Sequence, residues 1–252
     1  FDNFENSRNC SFEKAREKFL PETDDGNVYY NFWLDFDEQL IVDETFDKQS
    51  INKDLYMFDT YIGQMKYTRN ELVRLDMGFR FYGPIHEYII PPEDKPNVTS
   101  GVLKGVKVDV KTDGASWQEN IQLKYISHAH ILEKYISENR TDSRWIFYTA
   151  QSYHDSSTIT NIDERNERLR RAIRYYKETF KYEAPEPITY YYIGESYEQI
   201  NDLRNAMRYF NKALEISDSL ADAWAGLGRV FIAQDNDITA INYYEKAVEI
   251  MP

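Results

Sequence analysis

Two acidic residues that follow an apolar stretch give the clearest chemical signal in the sequence. The segment 32–34 is apolar, and Asp35 and Asp37 come directly after it. On a strand or an extended turn, side chains at spacing i and i+2 point the same way, so their carboxylates repel each other unless a cation or donors lie between them. Mg²⁺ and Mn²⁺ take oxygen ligands and can bridge to a diphosphate. The pair therefore predicts a metal or diphosphate site; the alternative is two solvated acids at a strand end.

Residues upstream of the acid pair occur in an order that supports this prediction. An Arg-Asn pair is followed by an amphipathic stretch at 11–19, an apolar strand and the acids. This order resembles family 2 glycosyltransferases of the GT-A fold, in which a comparable segment leads into metal-binding acids. The matching residues are Arg8, Asn9, Ala15, Trp33, Leu34, Asp35, Asp37 and Glu38. The resemblance implies that Arg8 and Asn9 contact the nucleotide or its phosphates; the alternative for Arg8 is an ordinary ion pair. Segment 21–27 departs from the family pattern and predicts a longer surface loop.

Two further stretches match the same enzymes. Residues 80–87 read Arg-Phe-Tyr-Gly-Pro-Ile-His-Glu, which resembles the stretch in which inverting GT-A enzymes carry an acid that deprotonates the acceptor. The resemblance implies that Glu87 is this base, and a carboxylate can accept a proton from an attacking hydroxyl. It also implies that His128, just before a helix predicted at 131–137, binds the metal or diphosphate; His130 is the alternative.

The C-terminal part of the sequence repeats itself. Trp224, Leu227, Gly228 and Phe231 begin a tetratricopeptide pattern, and an earlier copy lies 34 residues before it, which is the period of that repeat. A small residue at the eighth position and an alanine at the twentieth allow two antiparallel helices to approach closely, and Pro252 is predicted to stop the second helix. A weaker third copy contains Ala150 and Ala172, with an insertion around 155–165 that predicts a loop. Buried aromatic residues are expected in the repeat core: Trp145, Tyr153, Tyr176, Tyr197 and Trp224.

Composition limits the function further. The formal charge is −13 and no basic run occurs, so a protein that binds nucleic acid through phosphate contacts is disfavoured. The single Cys10 excludes an internal disulfide framework and a multi-cysteine zinc site. No apolar run approaches the ~18 residues of a membrane span, and no signal segment is visible. We therefore expect a cytoplasmic protein.

The resemblance implies an α/β fold, with a partial GT-A, Rossmann-like core at 1–140. The repeat pattern predicts that an all-α solenoid of about three tetratricopeptide repeats follows at 141–252. The resemblance implies a metal-assisted, inverting glycosyltransferase that uses Mn²⁺ or Mg²⁺ and a nucleotide-diphosphate sugar, with a UDP-sugar favoured. It also implies that about a hundred residues of a nucleotide-binding unit precede Phe1.

The repeats would bind the acceptor (protein, peptide or glycan) or a protein partner. The alternative is a non-catalytic scaffold with a degenerate transferase remnant. A transferase that modifies DNA bases has the same chemistry, and the acidic composition disfavours it.

Overall fold

Two parts of the chain with different periodicity form two different kinds of unit. The structure is a computed structural model that describes residues 4–20, 27–35, 37–111, 120–138 and 142–251. The chain divides into a sheet unit, Phe1–Glu119, and a helical unit, Asn120–Pro252. This division falls earlier than the predicted boundary between residues 140 and 141, because the helix Ile121–Glu138 packs on the helix that follows it.

The sheet unit begins with helix α1 (Phe4–Phe19) and continues with seven strands among its described residues. Most residues of α1 are polar or charged, so the helix is only weakly amphipathic, and the buried ring of Phe12 anchors it to the sheet unit. Two short 3-10 helices, Lys48–Ser50 and Leu75–Met77, connect strands. The strands are β1 (Tyr30–Phe32), β2 (Glu38–Val42), β3 (Leu55–Ile62), β4 (Met65–Arg74), β5 (Arg80–Tyr82), β6 (Tyr88–Ile90) and β7 (Ser100–Val110).

Five strands form one mixed sheet in the order β1-β4-β3-β7-β2, and β5 pairs with β6 in a separate ribbon. Only β3 and β7 run parallel; the other neighbours in the sheet are antiparallel. Ile62 pairs with Met65 across a two-residue link, and such a link can join only antiparallel strands. The sheet is therefore mixed rather than parallel, and the partial GT-A, Rossmann-like core expected at 1–140 stays a prediction, since the strands and crossover helices of a Rossmann-like unit were expected before Phe1.

Both faces of the sheet carry apolar side chains, because successive side chains of a strand point to opposite faces. On β3, Leu55 joins a buried cluster that includes Phe12 of α1. The neighbouring Tyr56 and Phe58 belong to a second cluster with Val108 of β7. Packing against the first cluster fixes α1 on one side of the sheet, and this determines where the polar side chains of α1 lie.

The helical unit consists of seven helices among its described residues. Several begin with an Asp or Asn whose side chain accepts a hydrogen bond from the first turn; Asp142, Asp202 and Asn236 are examples. The helices are α2 (Ile121–Glu138), α3 (Ser143–Asp155), α4 (Ile162–Thr179), α5 (Pro187–Gln199), α6 (Leu203–Ile216), α7 (Ala221–Ile232) and α8 (Asp237–Ile250).

These helices correct two sequence-based boundaries. The insertion predicted as a loop at 155–165 is partly helical, because Asn161 caps α4 and residues from Ile162 onward form its first turn. The helix predicted at 131–137 begins at Ile121, so His128 lies within a helix and not before one. Pro252 and residues 21–26 lie outside the described part of the chain.

Close packing between small and aromatic residues holds the repeat helices together, as the sequence pattern predicted. A Cβ atom at Gly194 would lie 2.7 Å from Cδ1 of Phe210, and one at Gly226 would lie 2.7 Å from Cζ of the same ring. Trp145, Tyr153 and Tyr176 are buried as expected, whereas Tyr197 and Trp224 are only partly buried.

A tight approach between two chain segments distorts β7. The register against β3 jumps from Met57↔Val102 to Asp59↔Lys107, so four residues of β7 oppose one of β3. Gly105 lies within this bulge at φ 75°, and its carbonyl accepts a hydrogen bond of 2.9 Å from the backbone N–H of Asp43. A Cβ atom here would lie 2.5 Å from the backbone nitrogen of Phe46.

We predict that Gly105→Ala destabilises the sheet unit by about 2–4 kcal/mol, because it combines an unfavourable left-handed backbone with a steric clash. Gly63→Ala is the matched control: Gly63 also has positive φ, at 58°, but no atom lies within 4 Å of its Cβ position. We expect the free energy of unfolding of this control to fall by only about 1 kcal/mol. Urea denaturation measures both changes, and equal losses would contradict the role of the Phe46 contact.

Candidate functional site

Three residues selected from the sequence meet in the sheet unit, although they come from separate segments. Nη2 of Arg8 lies 2.7 Å from Oδ1 of Asp35, and Nε of the same guanidinium lies 2.8 Å from Oε1 of Glu87. The guanidinium also lies over the ring of Phe81, 5.1 Å from its centroid. The side chain of Glu87 is only 12% exposed, against 45% for Asp35. Arg8 therefore joins one sheltered and one accessible carboxylate.

Asn9 fixes this arrangement because its side chain binds both the N–H and the carbonyl of Phe81 in β5. Its Nδ2 donates to the carbonyl of Phe81 at 3.0 Å, and its Oδ1 accepts from the N–H of Phe81 at 2.7 Å. One turn earlier, the carboxylate of Glu5 accepts from the N–H of Gly83 at 3.1 Å. These bonds align α1 with the segment that leads to Glu87, so Asn9 has a positioning role in this geometry.

The backbone immediately before Glu87 is unusual. His86 has φ 54°, a left-handed conformation that is uncommon for a residue with a side chain. Such conformations cluster at functional sites, where the surrounding structure maintains them. No pattern in the sequence signals it, because the conformation results from closing the β5–β6 ribbon.

The acid pair lies in a turn rather than on a strand. β1 ends at Phe32, and the N–H of Glu38 donates to the carbonyl of Asp35 at 3.1 Å. The side chain of Glu38 returns this contact by accepting from the N–H of Asp35 at 2.8 Å. The carbonyl of Asp37 accepts from the N–H of Lys111 at 2.7 Å. Both acids are therefore held by backbone bonds at the entry to β2.

A buried ion cluster that the sequence analysis missed supports this turn. Nη2 of Arg69 lies 2.6 Å from Oε1 of Glu38, and Nε of Arg69 pairs with Glu71. Glu71 is fully buried, and desolvation raises its pKa to about 7 despite the opposing charge of Arg69. Opposite charges at positions i and i+2 of β4 were a signal for this contact, since both side chains share one face.

The fit to a divalent metal is partial. Among the described residues, no group of three or more His, Cys, Asp or Glu side chains could hold a metal ion. Asp35 is already paired with Arg8, and the carboxylate of the neighbouring Glu38 accepts a hydrogen bond from the backbone N–H of Asp35. Mg²⁺ often uses one or two carboxylates together with substrate phosphates. The residues therefore fit a metal only if a bound diphosphate completes the oxygen ligands.

His128 belongs to the helical unit. It lies within α2 and its ring contacts that of Tyr125 edge-on, with centroids 6.1 Å apart. Its role as a metal ligand stays a prediction.

A second candidate site lies on the face that successive first helices of the repeats share. We call it the first-helix face and define it by Phe147, His154, Tyr191, Tyr192, Glu195, Glu198, Asp222 and Arg229. Nε2 of His154 on α3 lies 3.3 Å from Oε2 of Glu195 on α5. Glu198 on α5 receives two hydrogen bonds from Arg229 on α7, at 2.8 and 2.9 Å. Each first helix is thus joined to the next by an ion pair.

Aromatic rings fill the space beside these ion pairs. Tyr192 stacks on the buried ring of Tyr176, with centroids 5.6 Å apart and planes within 7°. Phe147 contacts the edges of both rings. The hydroxyl of Tyr191 donates to Glu195 at 3.0 Å, which fixes the orientation of this half-buried ring. Repeat periodicity marked these helices, but not the ion pairs between them.

Comparison with known proteins identifies the repeats. The family profile of the tetratricopeptide repeat matches residues 188–219 and 221–252, which correspond to α5–α6 and α7–α8. The C-terminal part of the chain therefore carries tetratricopeptide repeats. No curated protein is matched by the chain. No helix in the described ranges has the length and apolarity needed to cross a membrane.

Several solved structures resemble the chain over about half of its length. The structure described as MamA MSR-1 C2 aligns with TM-score 0.43 and 11% identity, over 50% of this chain and 67% of that one. The second TPR of Spaghetti (RPAP3), bound to the HSP90 peptide SRMEEVD, aligns with TM-score 0.34 and 16% identity. The alignment covers 46% of this chain and 98% of that one. The APC/C hetero-tetramer Cut9-Hcn1 aligns with TM-score 0.34 and 18% identity. The alignment covers 52% of this chain and 23% of that one.

The contacts of His154 predict a pH-dependent stability. Burial lowers its pKa, but hydrogen bonds to Asp155 and Glu195 outweigh burial and raise the pKa from 6.5 to about 9. Because the folded pKa exceeds the unfolded one, this stabilisation is fully present below pH 6.5 and is lost as pH rises through about 9. In the unchanged protein we expect the free energy of unfolding to fall by a contribution on the order of 2 kcal/mol from His154 as the pH rises from 6 to 9, and we expect His154→Gln to remove this contribution.

Urea denaturation followed by helical circular dichroism at pH 6 and pH 9 measures this difference. If His154→Gln keeps the same pH dependence as the unchanged protein, the loss of stability arises from other groups.

Proposed function

We propose that the chain acts through its repeats as a protein-interaction scaffold, and that the first-helix face binds a peptide segment of the partner. The observation that carries this proposal is the series of half-buried aromatic rings beside ion pairs that join α3, α5 and α7. Arrays of such helices bind peptides on an extended surface. Rigid rings with polar ends supply contact area at little entropic cost.

The charges of this face indicate the chemistry of the segment. Glu195 is paired with His154 and Glu198 with Arg229, whereas Asp222 adds an exposed carboxylate at the start of α7. Burial, together with the negative charges of Glu195 and Asp222, raises the pKa of the hydroxyls of Tyr191 and Tyr192. A basic side chain in the partner would find carboxylates and ring faces together. We therefore infer that the segment carries Lys or Arg next to apolar residues.

A peptide phage library tests this proposal with a defined probe. Peptides selected on the unchanged protein should bind at least tenfold more weakly to Asp222→Lys, which reverses the charge of an exposed residue of the first-helix face. Glu215→Lys is the matched control, because it makes the same charge change at an exposed position of α6. Selected peptides should contain Lys or Arg, and peptides that bind both variants equally would contradict the first-helix face as the site.

A second proposal concerns the sheet unit: we infer a site for a nucleotide-diphosphate sugar around Arg8, Asp35, Asp37 and Glu87. The contact that favours it is the double ion pair of Arg8 with Asp35 and Glu87, which joins the three segments singled out by the glycosyltransferase resemblance. Diphosphate oxygens could replace a carboxylate on Arg8, because guanidinium groups bind both in the same forked geometry. Asp35 and Asp37 would hold Mn²⁺ or Mg²⁺, which neutralises the leaving diphosphate when bound.

In this proposal Glu87 is the residue that accepts the proton of the acceptor hydroxyl. Its side chain is largely buried, and it pairs with Arg8, whose guanidinium lies over the ring of Phe81. Release of Arg8 toward a diphosphate would leave this oxygen available to the acceptor. His128 remains a proposed ligand only.

Calorimetric titration with Mn²⁺ and UDP tests the second proposal on the longest form of the protein that the gene encodes. We expect UDP binding that depends on Mn²⁺ and is lost in the Asp35→Ala/Asp37→Ala double variant. Glu93→Ala/Asp94→Ala is the matched control, because it removes two exposed acids from another turn of the sheet unit. If UDP, GDP and CMP all fail to bind the folded protein, the transferase proposal is wrong and the scaffold proposal remains.

A further inference from the structure

The second helices of two neighbouring repeats carry the same pair of exposed arginines. Arg170 and Arg174 lie on α4, and Arg204 and Arg208 occupy the positions 34 residues later on α6. Residues four apart share one face of a helix, so each pair forms a short row. All four residues are exposed, and none of them forms an ion pair with another residue that the structure describes. We call these two rows the arginine face; it shares no residue with the first-helix face.

The positive charge of these two helices contrasts with the charge of the whole chain, which is −13. Helix α4 contains six basic and four acidic residues, and α6 contains three basic residues and one acidic residue. The third repeat lacks the pattern, because Ile238 and Asn242 of α8 stand at the corresponding positions. The repeat fold therefore does not require these arginines, and they concentrate positive charge on two of its helices.

Contacts between lysines and tyrosines hold the two rows beside each other. Nζ of Lys177 on α4 lies 5.1 Å from the ring centroid of Tyr209 on α6, and it donates to the hydroxyl of Tyr197 at 2.7 Å. Nζ of Lys212 on α6 lies 5.4 Å from the centroid of the same Tyr209 ring. Because α4 and α6 are neighbours, the two rows are separated by a distance on the order of 10 Å.

Stacking of the repeats leaves the arginine face uncovered. Helix α4 packs against α3 and α5, and α6 packs against α5 and α7, so both helices already have their neighbours within the array. In such arrays each repeat contacts only the repeats next to it. Further repeats at either end of the array would therefore not cover these arginines.

We propose that the arginine face binds a short acidic segment of a partner protein. Guanidinium groups bind carboxylates through paired hydrogen bonds in a fixed geometry. Residues four apart on a helix are separated by about 6 Å along its axis. Carboxylates at positions i and i+2 of an extended segment are about 7 Å apart, so two of them can engage one row of arginines. Carboxylates elsewhere in the segment would engage the second row.

Nucleic acid fits this face less well. Glu167 and Glu178 on α4 and Glu215 on α6 interrupt the basic surface, so the arginines form a small patch rather than a long groove. A nucleic acid carries closely spaced phosphates over a long distance and would meet these carboxylates as well as the arginines. A segment of a few acidic residues would contact the arginines alone.

Hexaglutamate labelled with fluorescein is a defined probe for this site, and fluorescence anisotropy measures its binding to the full chain. We expect saturable binding that becomes at least tenfold weaker in Arg170→Glu/Arg204→Glu, because one arginine of each row then repels the probe. Arg170→Gln/Arg204→Gln should weaken binding at least threefold, since it removes positive charge without adding negative charge. Labelled hexaglutamine should not bind.

Lys134→Glu/Lys246→Glu is the matched control, because it makes the same change in net charge at exposed positions of α2 and α8. Its affinity for hexaglutamate should stay within about twofold of the unchanged protein, since salt screens charges at a distance. Circular dichroism should show that all variants keep their helices. Absence of saturable binding, or equal weakening by the two charge reversals, would overturn the proposal. Tighter binding of a labelled 12-nucleotide oligothymidylate, lost in Arg170→Glu/Arg204→Glu, would overturn it in favour of nucleic acid.

Discussion

The helical unit depends on the close approach of Phe210 to Gly194 and Gly226. One ring fills the space between the two helices of its own repeat and the first helix of the next, so a single contact sets the spacing both within and between repeats. Any side chain at either glycine would have to push a helix away, because packed interiors have no spare volume. The ion pairs of the first-helix face, such as Glu198–Arg229, form only at the spacing that this contact allows.

The sheet unit is organised around charge as well as packing. Arg8 neutralises two carboxylates, and Arg69 neutralises two others, Glu38 and Glu71, beneath the same turn. Glu38 connects the two groups, because one of its carboxylate oxygens pairs with Arg69 and the other accepts a hydrogen bond from the backbone N–H of Asp35. Removing either arginine would leave carboxylates near each other and partly desolvated, and this is costly in a protein interior.

The two units therefore offer different kinds of recognition. The helical unit presents aromatic surface and ion pairs on helices that are fixed by packing, which suits a peptide. In the proposed function, the sheet unit would bind an anion through Arg8, which lies with Asp35 and Glu87 near the N-terminal end of α1. Recognition of a protein partner by the helical unit is supported by the repeat family of residues 188–252. Recognition of an anion by the sheet unit is a proposal, and the ion pairs of Arg8 favour it.

The sequence by itself determined the repeat helices, because their glycine, alanine and aromatic positions act over a short, periodic distance that the chain displays directly. It also singled out Arg8, Asp35 and Glu87. Only the tertiary structure decided how these three meet, since the contact depends on Asn9 binding Phe81, 72 residues away. The mixed sheet was likewise decided in three dimensions, by the two-residue link after Ile62 and the bulge at Gly105, which fix strand direction and register beyond what a local pattern encodes.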